Sequence, residues 1–349
     1  MSSVFGFSDT LEYPPLGPPE NRIPKTWHPS RVIFLFAFTI DAGERMQVDR
    51  PSEVMRQAWQ RHERRWRDNL YVYAVVSRRS GGISVGLNLN PDKTCNFDCT
   101  YCQVNRREPP AVRKVDLRLL AEELDRVLEA HRDGSLFETA PFNALPPGRR
   151  DVRDIAFSGD GEPTIFPRFE EAVRIAAGAR GRYALAAARL ILITDGAYLA
   201  KPAVRRALAV MDQNNGEIWA KLDAGTEEYF RAVNRPNVTL EKVLENILDA
   251  ARTRPIVIQS LFCRIHGHVP PQGEIDAYCQ RLNGLLAAGG RLRTIQVYTI
   301  ARGPAESFVT PLSDVELDQI AGFVRSRVAV PVDVHYGVVP NETPREPMS

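Results

Sequence analysis

The sequence GISVGLNLNPDKTCNFDCTYCQVNR, residues 82–106, contains the features from which the architecture of this protein can be predicted. Its first nine residues have the apolar and β-branched character of a buried strand. The loop that follows carries three of the five cysteines in the chain, Cys95, Cys99 and Cys102, in the spacing C-x3-C-x2-C, and Tyr101 precedes the last of them. We therefore expect a strand that ends in a cysteine-rich loop.

Strand-like and helix-like segments alternate from residue 82 onward. Six strand-then-helix units follow one another, and their strand-like segments occupy residues 82–90, 151–162, 189–197, 217–225, 255–267 and 294–302. This alternation predicts a parallel sheet with right-handed crossovers, either an open doubly wound sheet or an incomplete barrel. In both architectures, functional residues gather at the carboxyl ends of the strands.

The composition is that of an ordinary globular protein and gives no sign of a membrane partner. The chain has 349 residues, of which 44% are hydrophobic and 25% are charged. The longest apolar run, residues 32–40, is shorter than the about 20 residues that cross a bilayer, so we expect a buried strand there. No secretory signal opens the sequence, and an odd number of cysteines does not suggest a disulfide framework. We therefore expect a cytoplasmic protein.

Residues 56–67, RQAWQRHERRWR, are strongly basic and include Trp59 and Trp66. This segment could bind nucleic acid, because arginines can contact phosphates while aromatic rings stack on bases. It is equally typical of an amphipathic helix whose tryptophans are buried and whose arginines are solvated. The net charge of +2 gives no general reason to expect nucleic acid, so both interpretations stay open.

Three cysteines at this spacing allow three interpretations: a structural zinc site, an iron–sulfur site, or plain thiols. Structural zinc usually has four protein ligands, and the two remaining cysteines, Cys263 and Cys279, lie on a distant strand and helix. A [4Fe–4S] cluster usually takes four thiolates, so three would leave one iron open to an external ligand. An open metal position is typical of a catalytic site.

The cysteine loop resembles that of the radical S-adenosylmethionine (SAM) superfamily, in which a strand precedes the first cysteine and an aromatic residue precedes the last. The resemblance extends over about residues 82–330 and includes later segments in the order typical of the family. These segments are SGDGEPT (residues 158–164), LITDGAY (192–198), WAKLDAGTEEYFRAVNRP (219–236) and RGPAE (302–306).

This resemblance implies an α/β fold, a partial (β/α)6 TIM-like barrel of parallel strands with an N-terminal extension. We accordingly expect the extension over residues 1–80, with a proline-rich start, a strand and the basic helix. The radical SAM partial barrel would occupy residues 81–335, and a C-terminal tail would occupy residues 336–349.

The resemblance also implies the cofactors and the reaction. Cys95, Cys99 and Cys102 would hold three irons of a [4Fe–4S] cluster, and SAM would chelate the fourth. One electron entering the cluster would cleave SAM to methionine and a 5′-deoxyadenosyl radical, which abstracts a hydrogen atom from the substrate. Flavodoxin or ferredoxin would supply the electron.

Further site residues follow from the resemblance at the strand ends. The segment SGDGEPT looks like the glycine-rich stretch that binds the SAM amino group through backbone oxygens, and glycines allow such a close approach. The segment LITDGAY resembles the family's third-strand ITNG, with an aspartate in place of the asparagine. The predicted cofactor-binding residues are Tyr101, Ser158, Gly159, Asp160, Gly161, Glu162, Thr194, Asp195 and Asp223.

Two charged residues near the end of the fourth predicted strand are candidate catalytic residues. Period-two alternation puts Trp219, Lys221 and Asp223 on one face of this strand. Lys221 and Asp223 therefore point the same way, either as an ion pair that fills the sheet interior or as groups that contact SAM or substrate. We select both as candidate catalytic residues.

The patterns LDA, FRxxNRP and RGPAE resemble the branch of the superfamily that contains the wyosine-base synthases and their relatives. Those synthases have further upstream cysteines for a second cluster, where pyruvate binds, whereas this chain has no cysteine before Cys95. We expect a single-cluster enzyme whose substrate is a small molecule or an RNA, with a modified nucleoside as one candidate. The alternatives are an activase that installs a radical on a partner protein, and a zinc-stabilised RNA-binding protein. The roles of Cys263, His266 and His268 stay open.

Overall fold

The computed structural model of the chain describes residues 58–59 and 66–337. The proline-rich start, the apolar run at residues 32–40, most of the basic segment and the end of the predicted tail lie outside the described residues. The described strands are β1 (Val72–Ser77), β2 (Gly82–Leu87), β3 (Val152–Phe157), β4 (Arg189–Thr194), β5 (Gly216–Lys221), β6 (Ile256–Leu261), β7 (Cys263–Ile265), β8 (Leu292–Tyr298), β9 (Val309–Pro311) and β10 (Val332–His335).

Helices connect the parallel strands in the order that the sequence predicts. They are α1 (Leu117–Asp133), α2 (Phe169–Arg182), α3 (Pro202–Asp212), α4 (Glu227–Asn234), α5 (Leu240–Thr253), α6 (Gln272–Ala287) and α7 (Asp314–Arg327). The helix α1 shows why these segments fold as helices against the sheet. Its leucines recur at helical spacing, so Leu120, Leu124 and Leu128 are all buried in the core. None of the described helices is both long and apolar enough to cross a membrane.

The order of the strands distinguishes between the two predicted architectures. The main sheet runs β1-β2-β3-β4-β5-β6-β8-β10, so each new parallel strand is added on the same side of the last one. A doubly wound sheet reverses direction at its midpoint, whereas sequential addition with right-handed crossovers puts all helices on one face and curls the sheet. The protein is therefore a half-barrel, which confirms the predicted partial barrel. The strands β7 and β9 form a separate two-stranded sheet.

The strand β1 precedes the predicted barrel but belongs to the same sheet. It pairs with β2 in the antiparallel direction, from Val72 opposite Leu87 to Ser77 opposite Gly82. The glycine at position 86 of this pair leaves room for the buried ring of Tyr73, because a Cβ there would lie 2.1 Å from it. The division of the chain at residue 80 stays a prediction.

A buried carboxylate fixes the beginning of β1. Glu123 on α1 is 1% exposed and accepts hydrogen bonds from three successive backbone N–H groups, those of Leu70 (2.7 Å), Tyr71 (2.8 Å) and Val72 (3.0 Å). A buried carboxylate is stable only when it is hydrogen-bonded in this way. The first strand is thus tied both to its neighbour in the sheet and to the helix behind it.

Candidate functional site

A cavity of about 280 Å³ opens at the carboxyl ends of the parallel strands. It is lined by the cysteine loop, by the glycine-rich turn after β3, by the end of β4, and by inward-facing side chains of β5, β6 and β8. Of the predicted site residues, Asp223 lies just behind this lining, and the others form part of it. Those others are Cys95, Cys99, Tyr101, Cys102, Ser158, Gly159, Asp160, Gly161, Glu162, Thr194, Asp195 and Lys221.

The cysteine loop is held in place by backbone hydrogen bonds to the end of α4. The N–H of Asp98 donates to the carbonyl oxygen of Asn234 at 3.0 Å, and the N–H of Thr100 donates to that of Val233 at 2.8 Å. A loop without regular secondary structure needs such partners because its backbone groups are strongly polar. The NRP pattern, which the sequence suggested only by resemblance, thus begins at a helix end that anchors the cysteines.

The glycine-rich turn after β3 packs directly against the residues that follow β2. A Cβ on Gly161 would lie 1.9 Å from the carbonyl oxygen of Thr94, and one on Gly159 would lie 2.3 Å from Oδ1 of Asn88. The N–H of Glu162 also donates to that Thr94 oxygen at 3.1 Å. Both glycines are therefore required for contact within the chain. That this turn also binds the SAM amino group stays a prediction.

Asn88 joins the same two segments through its side chain, and sequence reasoning did not select it. Its Nδ2 donates to Oδ2 of Asp160 at 2.7 Å, while its Oδ1 accepts from the N–H groups of Asp160 and Asn90, each at 3.1 Å. The residue is 5% exposed. The sequence shows that Asn88 is a polar residue directly after a buried strand. It does not show that Asp160 is its partner, because the two residues are 72 positions apart.

Glu162 links the glycine-rich turn to the end of β4. Its carboxylate accepts hydrogen bonds from the hydroxyl groups of Thr164 and Thr194 and from the backbone N–H of Asp195, the last at 2.7 Å. Burial raises the pKa of Glu162, and these hydrogen bonds only partly oppose the rise. Glu162 therefore positions the two turns relative to each other, and its own oxygens are engaged by the chain.

Asp195 has a buried oxygen without a partner. Its Oδ1 accepts from the N–H of Ala197 at 2.9 Å and from Asn96 Nδ2 at 3.4 Å, but its Oδ2 has no hydrogen-bond partner among the described residues. Burial and the nearby negative charge of Glu162 raise the pKa of Asp195 well above its usual value. An unpartnered buried oxygen is costly, so this position favours a ligand that can donate a hydrogen bond or bring positive charge.

Asp223, two residues beyond the end of β5, is the centre of a buried polar network. Its Oδ2 accepts hydrogen bonds from the hydroxyl group of Tyr101 and from Asn234 Nδ2 (2.7 Å), and its Oδ1 accepts from the N–H of Leu261 (2.8 Å). The same Oδ2 lies 3.5 Å from Lys221 Nζ. Because both oxygens are already engaged by the chain, Asp223 is placed to hold the cysteine loop and Lys221.

Lys221 reaches from the end of β5 into the cavity. Its Nζ donates to the hydroxyl group of Tyr298 at 3.2 Å and lies 4.8 Å from the ring centre of Tyr101. Burial alone would lower the pKa of Lys221, but Asp223, Tyr298 and Cys99 raise it above the usual value. The lysine is therefore a fixed positive charge at the cavity wall. Its pairing with Asp223 agrees with the alternation predicted from the sequence, and its catalytic role stays a prediction.

Three hydrogen-bond donors point at sulfur atoms of the loop. Cys102 Sγ accepts from Arg106 Nη1 at 3.3 Å and from the N–H of Val104 at 3.4 Å, and Cys99 Sγ accepts from Asn234 Nδ2 at 3.4 Å. Burial raises the pKa of Cys99 to about 12. A buried thiol of this kind becomes a thiolate when a metal displaces its proton. Hydrogen bonds to sulfur are one of the ways in which proteins tune iron–sulfur clusters.

The residues present fit an iron–sulfur cluster better than a single metal ion. In the part of the chain that the structure describes, no three His, Cys, Asp or Glu residues lie close enough together to hold one ion. The three cysteines instead line one side of a shared cavity, and Asp195 belongs to the same cavity. A cluster with a fourth iron available to a ligand needs such an arrangement, in which three thiolates border open space.

The RGPAE pattern after β8 also contacts the cysteine loop and the NRP pattern. Glu306 forms an ion pair with Arg235 Nη1 at 2.9 Å, and the N–H of Ala305 donates to the carbonyl oxygen of Cys102 at 3.0 Å. Arg302, from the same segment, lines the cavity. The NRP and RGPAE patterns, which are far apart in the sequence, are therefore in direct contact.

The two cysteines outside the loop are buried. Cys263 begins β7 and packs in a small apolar cluster, and Cys279 lies on α6 in the main core. Neither lines the cavity. The burial of Cys279 agrees with the amphipathic pattern of its helix.

The polar residues near β7 make local contacts. Arg264 forms an ion pair with Glu316, and His266 stacks on Phe308 with ring centres 4.4 Å apart. His268 is exposed. Arg264 and His266 therefore connect β7 and the residue after it to Glu316 and Phe308.

The two tryptophans of the basic segment have different surroundings. Trp66 is 8% exposed and packs in the main core, with the Arg67 guanidinium 4.5 Å from its ring centre. Trp59 is partly buried and lines the cavity. The ring of Trp66 is therefore not available to stack on a base, which agrees with the amphipathic interpretation for that residue.

The fold and the site together define an α/β half-barrel with a three-cysteine centre at the carboxyl ends of its strands. Residues 89–261 match the family model of the radical SAM superfamily, from the residues just after β2 to the end of β6. The chain belongs to the radical SAM superfamily. This membership confirms the resemblance found in the sequence and supports an enzyme that uses an iron–sulfur centre and SAM.

Curated relatives share limited identity with the chain. A protein from Helicobacter pylori described as a UPF0026 protein is 25% identical over 180 residues, which are 51% of this chain and 51% of the relative. A UPF0026 protein from Methanocaldococcus jannaschii is 27% identical over 179 residues, 51% of this chain and 48% of the relative. A protein from Brachyspira hyodysenteriae described as GTPase Obg is 21% identical over 267 residues, 74% of this chain and 34% of the relative. The chain thus spans about a third to a half of the length of these relatives.

Two solved structures are similar over most of the chain. A structure of TYW1 with a lysine–pyruvate adduct bound has 13% sequence identity and a TM-score of 0.43, and the match covers 80% of this chain and 83% of that chain. A spore photoproduct lyase structure with a dinucleoside spore photoproduct has 12% identity and a TM-score of 0.48, with 76% and 79% covered.

Proposed function

We propose that this chain is a cytoplasmic single-cluster enzyme in which Cys95, Cys99 and Cys102 hold a [4Fe–4S] cluster. When bound, the cluster and SAM would supply a 5′-deoxyadenosyl radical, by one-electron cleavage of SAM, that takes a hydrogen atom from a substrate in the cavity. The observation that carries the proposal is the presence of all three cysteines on the wall of one cavity, next to the unpartnered Asp195 Oδ2. Flavodoxin or ferredoxin is the proposed electron donor.

The residues around the cavity would bind and orient the cofactor. Asp195 and Glu162 place two buried carboxyl groups side by side, and a positively charged ammonium group would relieve their mutual repulsion. Asp195 Oδ2 is therefore the proposed acceptor for the amino group of SAM. Lys221, held by Asp223, offers a fixed positive charge close to Cys99 for a carboxylate.

The half-barrel would also limit the access of water to the reacting groups. The cavity floor includes Ala156, Ile191 and Trp219, which form a small apolar cluster with Val257 on the inner face of the sheet. An apolar floor offers few competing groups to a reactive species, and a site that excludes solvent prevents side reactions. The substrate proposed for this space is a small molecule or a nucleoside-like group, alone or in an RNA.

Anaerobic reconstitution with iron and sulfide tests this proposal. The reduced protein should give a paramagnetic signal that changes when SAM is added, and with dithionite it should release 5′-deoxyadenosine slowly without substrate. Cys95→Ala, Cys99→Ala and Cys102→Ala should each lose the signal. Cys279→Ala is the matched control, because this cysteine is buried in α6 away from the cavity.

Two outcomes would contradict the proposal. One is a loop-cysteine variant that binds as much iron as Cys279→Ala and retains the same signal. The other is a reduced wild-type signal that SAM leaves unchanged. Once a substrate candidate is available, transfer of its deuterium into 5′-deoxyadenosine would establish the hydrogen abstraction step.

A further inference from the structure

Two consecutive arginines on the β1–β2 hairpin reach the cavity, and the family membership does not account for them. Arg78 extends to the carboxyl ends of the last strands, where its guanidinium donates to the carbonyl oxygens of Thr299 (3.0 Å), His335 (3.4 Å) and Tyr336. It therefore connects the first hairpin of the half-barrel with β8 and β10. These three hydrogen bonds fix the position of the hairpin.

Arg79, the next residue, has a different environment. Its guanidinium carbon lies 5.4 Å from the ring centre of Trp219 and 5.3 Å from that of Tyr298. Both rings belong to the cavity wall, and Arg79 lines the cavity with them. Two aromatic faces hold a guanidinium in place without neutralising it. Its hydrogen-bond donors are thus presented next to the cavity.

Arg78 and Arg79 place two positive charges at this end of the cavity. Within residues 66–337, neither Arg78 nor Arg79 forms an ion pair with an acidic side chain. Burial and the charges of Arg79 and Arg302 lower the pKa of Arg78 to about 9. Cations that are partly withdrawn from water are costly unless an anion joins them.

The acidic side chain that interacts with Arg79 electrostatically is Asp154 on β3, which also lines the cavity. Its Oδ1 accepts a hydrogen bond from the Ser84 hydroxyl group at 2.5 Å, whereas its buried Oδ2 has no hydrogen-bond partner among the described residues and lies 4.0 Å from Arg189 Nη2. Burial raises the pKa of Asp154. The positive charges of Arg189 and Arg79 both oppose this rise, and the contribution of Arg189 is the larger of the two. Asp154 therefore attracts Arg79 only at longer range and leaves its guanidinium free of a direct carboxylate contact.

A second, independent feature of the same cavity points to a ligand. Gln259 is 0% exposed, its Nε2 donates to Gln296 Oε1 at 2.8 Å, and its Oε1 has no hydrogen-bond partner among the described residues. Gln259 lies directly beside Lys221 in the sheet and lines the cavity. Buried amide oxygens are normally satisfied, so this acceptor is placed for a donor on a bound molecule.

We infer that the substrate carries an oxyanion group, a phosphate or a carboxylate, which Arg79 binds with its guanidinium, and a hydrogen-bond donor that faces Gln259 Oε1. The planar fork of an arginine matches both oxyanions through paired hydrogen bonds. This inference rests on the proposed function for the use of the cavity. Arg79 and Gln259 are not among the groups proposed to bind SAM, although Lys221, which is, lies beside Gln259 and shares Tyr298 with Arg79.

Calorimetric titration of the reconstituted, SAM-saturated protein at low ionic strength tests the inference, with inorganic phosphate and acetate as probes. Saturation with SAM ensures that a probe does not simply replace the SAM carboxylate. Wild-type protein should bind at least one probe, and Arg79→Gln should bind it at least about tenfold more weakly, the effect of losing one charge-assisted contact. Preference for phosphate or for acetate would identify the oxyanion.

Two further variants make the result interpretable. Arg205→Gln is the matched control, because Arg205 pairs with Asp249 on the exposed side of the helices. The Arg205→Gln protein should bind the probe with the same affinity as the wild type. Arg79→Lys retains the charge without the planar fork and should give intermediate affinity. Equal affinity of wild type and Arg79→Gln, or no binding of either probe to the wild type, would overturn the inference.

The paramagnetic signal separates this result from that of the proposed function. In Arg79→Gln, the change that SAM causes in the reduced signal should be the same as in the wild type, which also shows that the variant folds and assembles. If SAM fails to change the wild-type signal, the proposed function fails, while phosphate or acetate binding still reports on the arginine site.

Discussion

Asn234 Nδ2 lies 2.7 Å from Asp223 Oδ2, and this one contact joins the end of α4 to the end of β5. The same nitrogen lies 3.2 Å from the hydroxyl oxygen of Tyr101 and 3.4 Å from Cys99 Sγ. One buried amide therefore connects a strand end, an aromatic residue of the cysteine loop and a proposed cluster ligand. The geometry of the cysteines depends on the barrel behind them as well as on their spacing.

Asn234→Ala should lower the free energy of unfolding by about 2 kcal/mol, because it removes a hydrogen bond to a buried carboxylate and leaves Asp223 less well solvated. Urea unfolding followed by circular dichroism would measure this change. Asn283→Ala is the control, since Asn283 makes one hydrogen bond, to the carbonyl oxygen of Arg327, at an exposed position. Equal stability of the two variants would show that the network around Asp223 contributes little.

Gly161→Ala should reduce the iron content after reconstitution by more than half. The added Cβ would lie 1.9 Å from the Thr94 oxygen, so the glycine-rich turn or the residue before Cys95 must move. Iron per chain and the intensity of the reduced signal would report the loss. Gly284→Ala is the matched control, because nothing lies within 4 Å of a Cβ at that position on α6. Normal iron content in Gly161→Ala would contradict the expected clash.

The sequence was sufficient for features that depend on periodicity and local spacing. Alternation put Lys221 and Asp223 on one side of the strand end, and they lie 3.5 Å apart. The strand–helix alternation indicated the parallel sheet, although a half-barrel and a doubly wound sheet share that pattern locally. Strand order, which distinguishes them, is a property of the folded chain.

Features that depend on contacts between distant segments could not be predicted. Asn88 directly follows a strand, and its partner Asp160 is 72 residues away in the sequence. Asn234 ends a helix, and its partner Asp223 is 11 residues away. Polar residues are common at both kinds of position, so neither contact could be inferred. Arg78 appears in the sequence as an ordinary hairpin arginine, yet it binds a carbonyl group 221 residues away because the sheet curls. Gly161 was interpreted as access for a ligand, whereas its close approach in the structure is to Thr94.

His335 should make the protein less stable in acid. Burial, together with the positive charges of Arg78 and Arg79, lowers the pKa of His335 to about 3, from 6.5. The native histidine is then neutral while the unfolded one binds a proton, so stability present above pH 6.5 is lost as the pH falls towards 3. The loss should be about 2 kcal/mol between about pH 7 and about pH 5.

Urea unfolding of His335→Gln at both pH values would measure this contribution. The variant should lose less stability than the wild type over this interval, whereas His268→Gln should behave like the wild type because His268 is exposed. Identical acid sensitivity of the His335→Gln and wild-type proteins would show that His335 gains its proton without unfolding.

Arg106 should raise the reduction potential of the reconstituted centre. Its Nη1 donates to Cys102 Sγ at 3.3 Å, and although burial alone would lower the pKa of Arg106, the Cys102 sulfur and Asp98 raise it. A donor and a positive charge beside a sulfur ligand stabilise the reduced, more negative state. Arg106→Gln should therefore lower the potential by about 50 mV, which corresponds to about 1 kcal/mol for one electron.

A redox titration monitored by the paramagnetic signal would measure the potential of Arg106→Gln. Arg107→Gln is a matched control from the neighbouring position, because its side chain is 73% exposed and lies 3.8 Å from Glu306. Both variants lose one positive charge near the cysteine loop, but of the two arginines Arg106 is the one that contacts a sulfur among the described residues. A drop confined to Arg106→Gln would assign the effect to the hydrogen bond, and equal drops in both variants would assign it to general electrostatics.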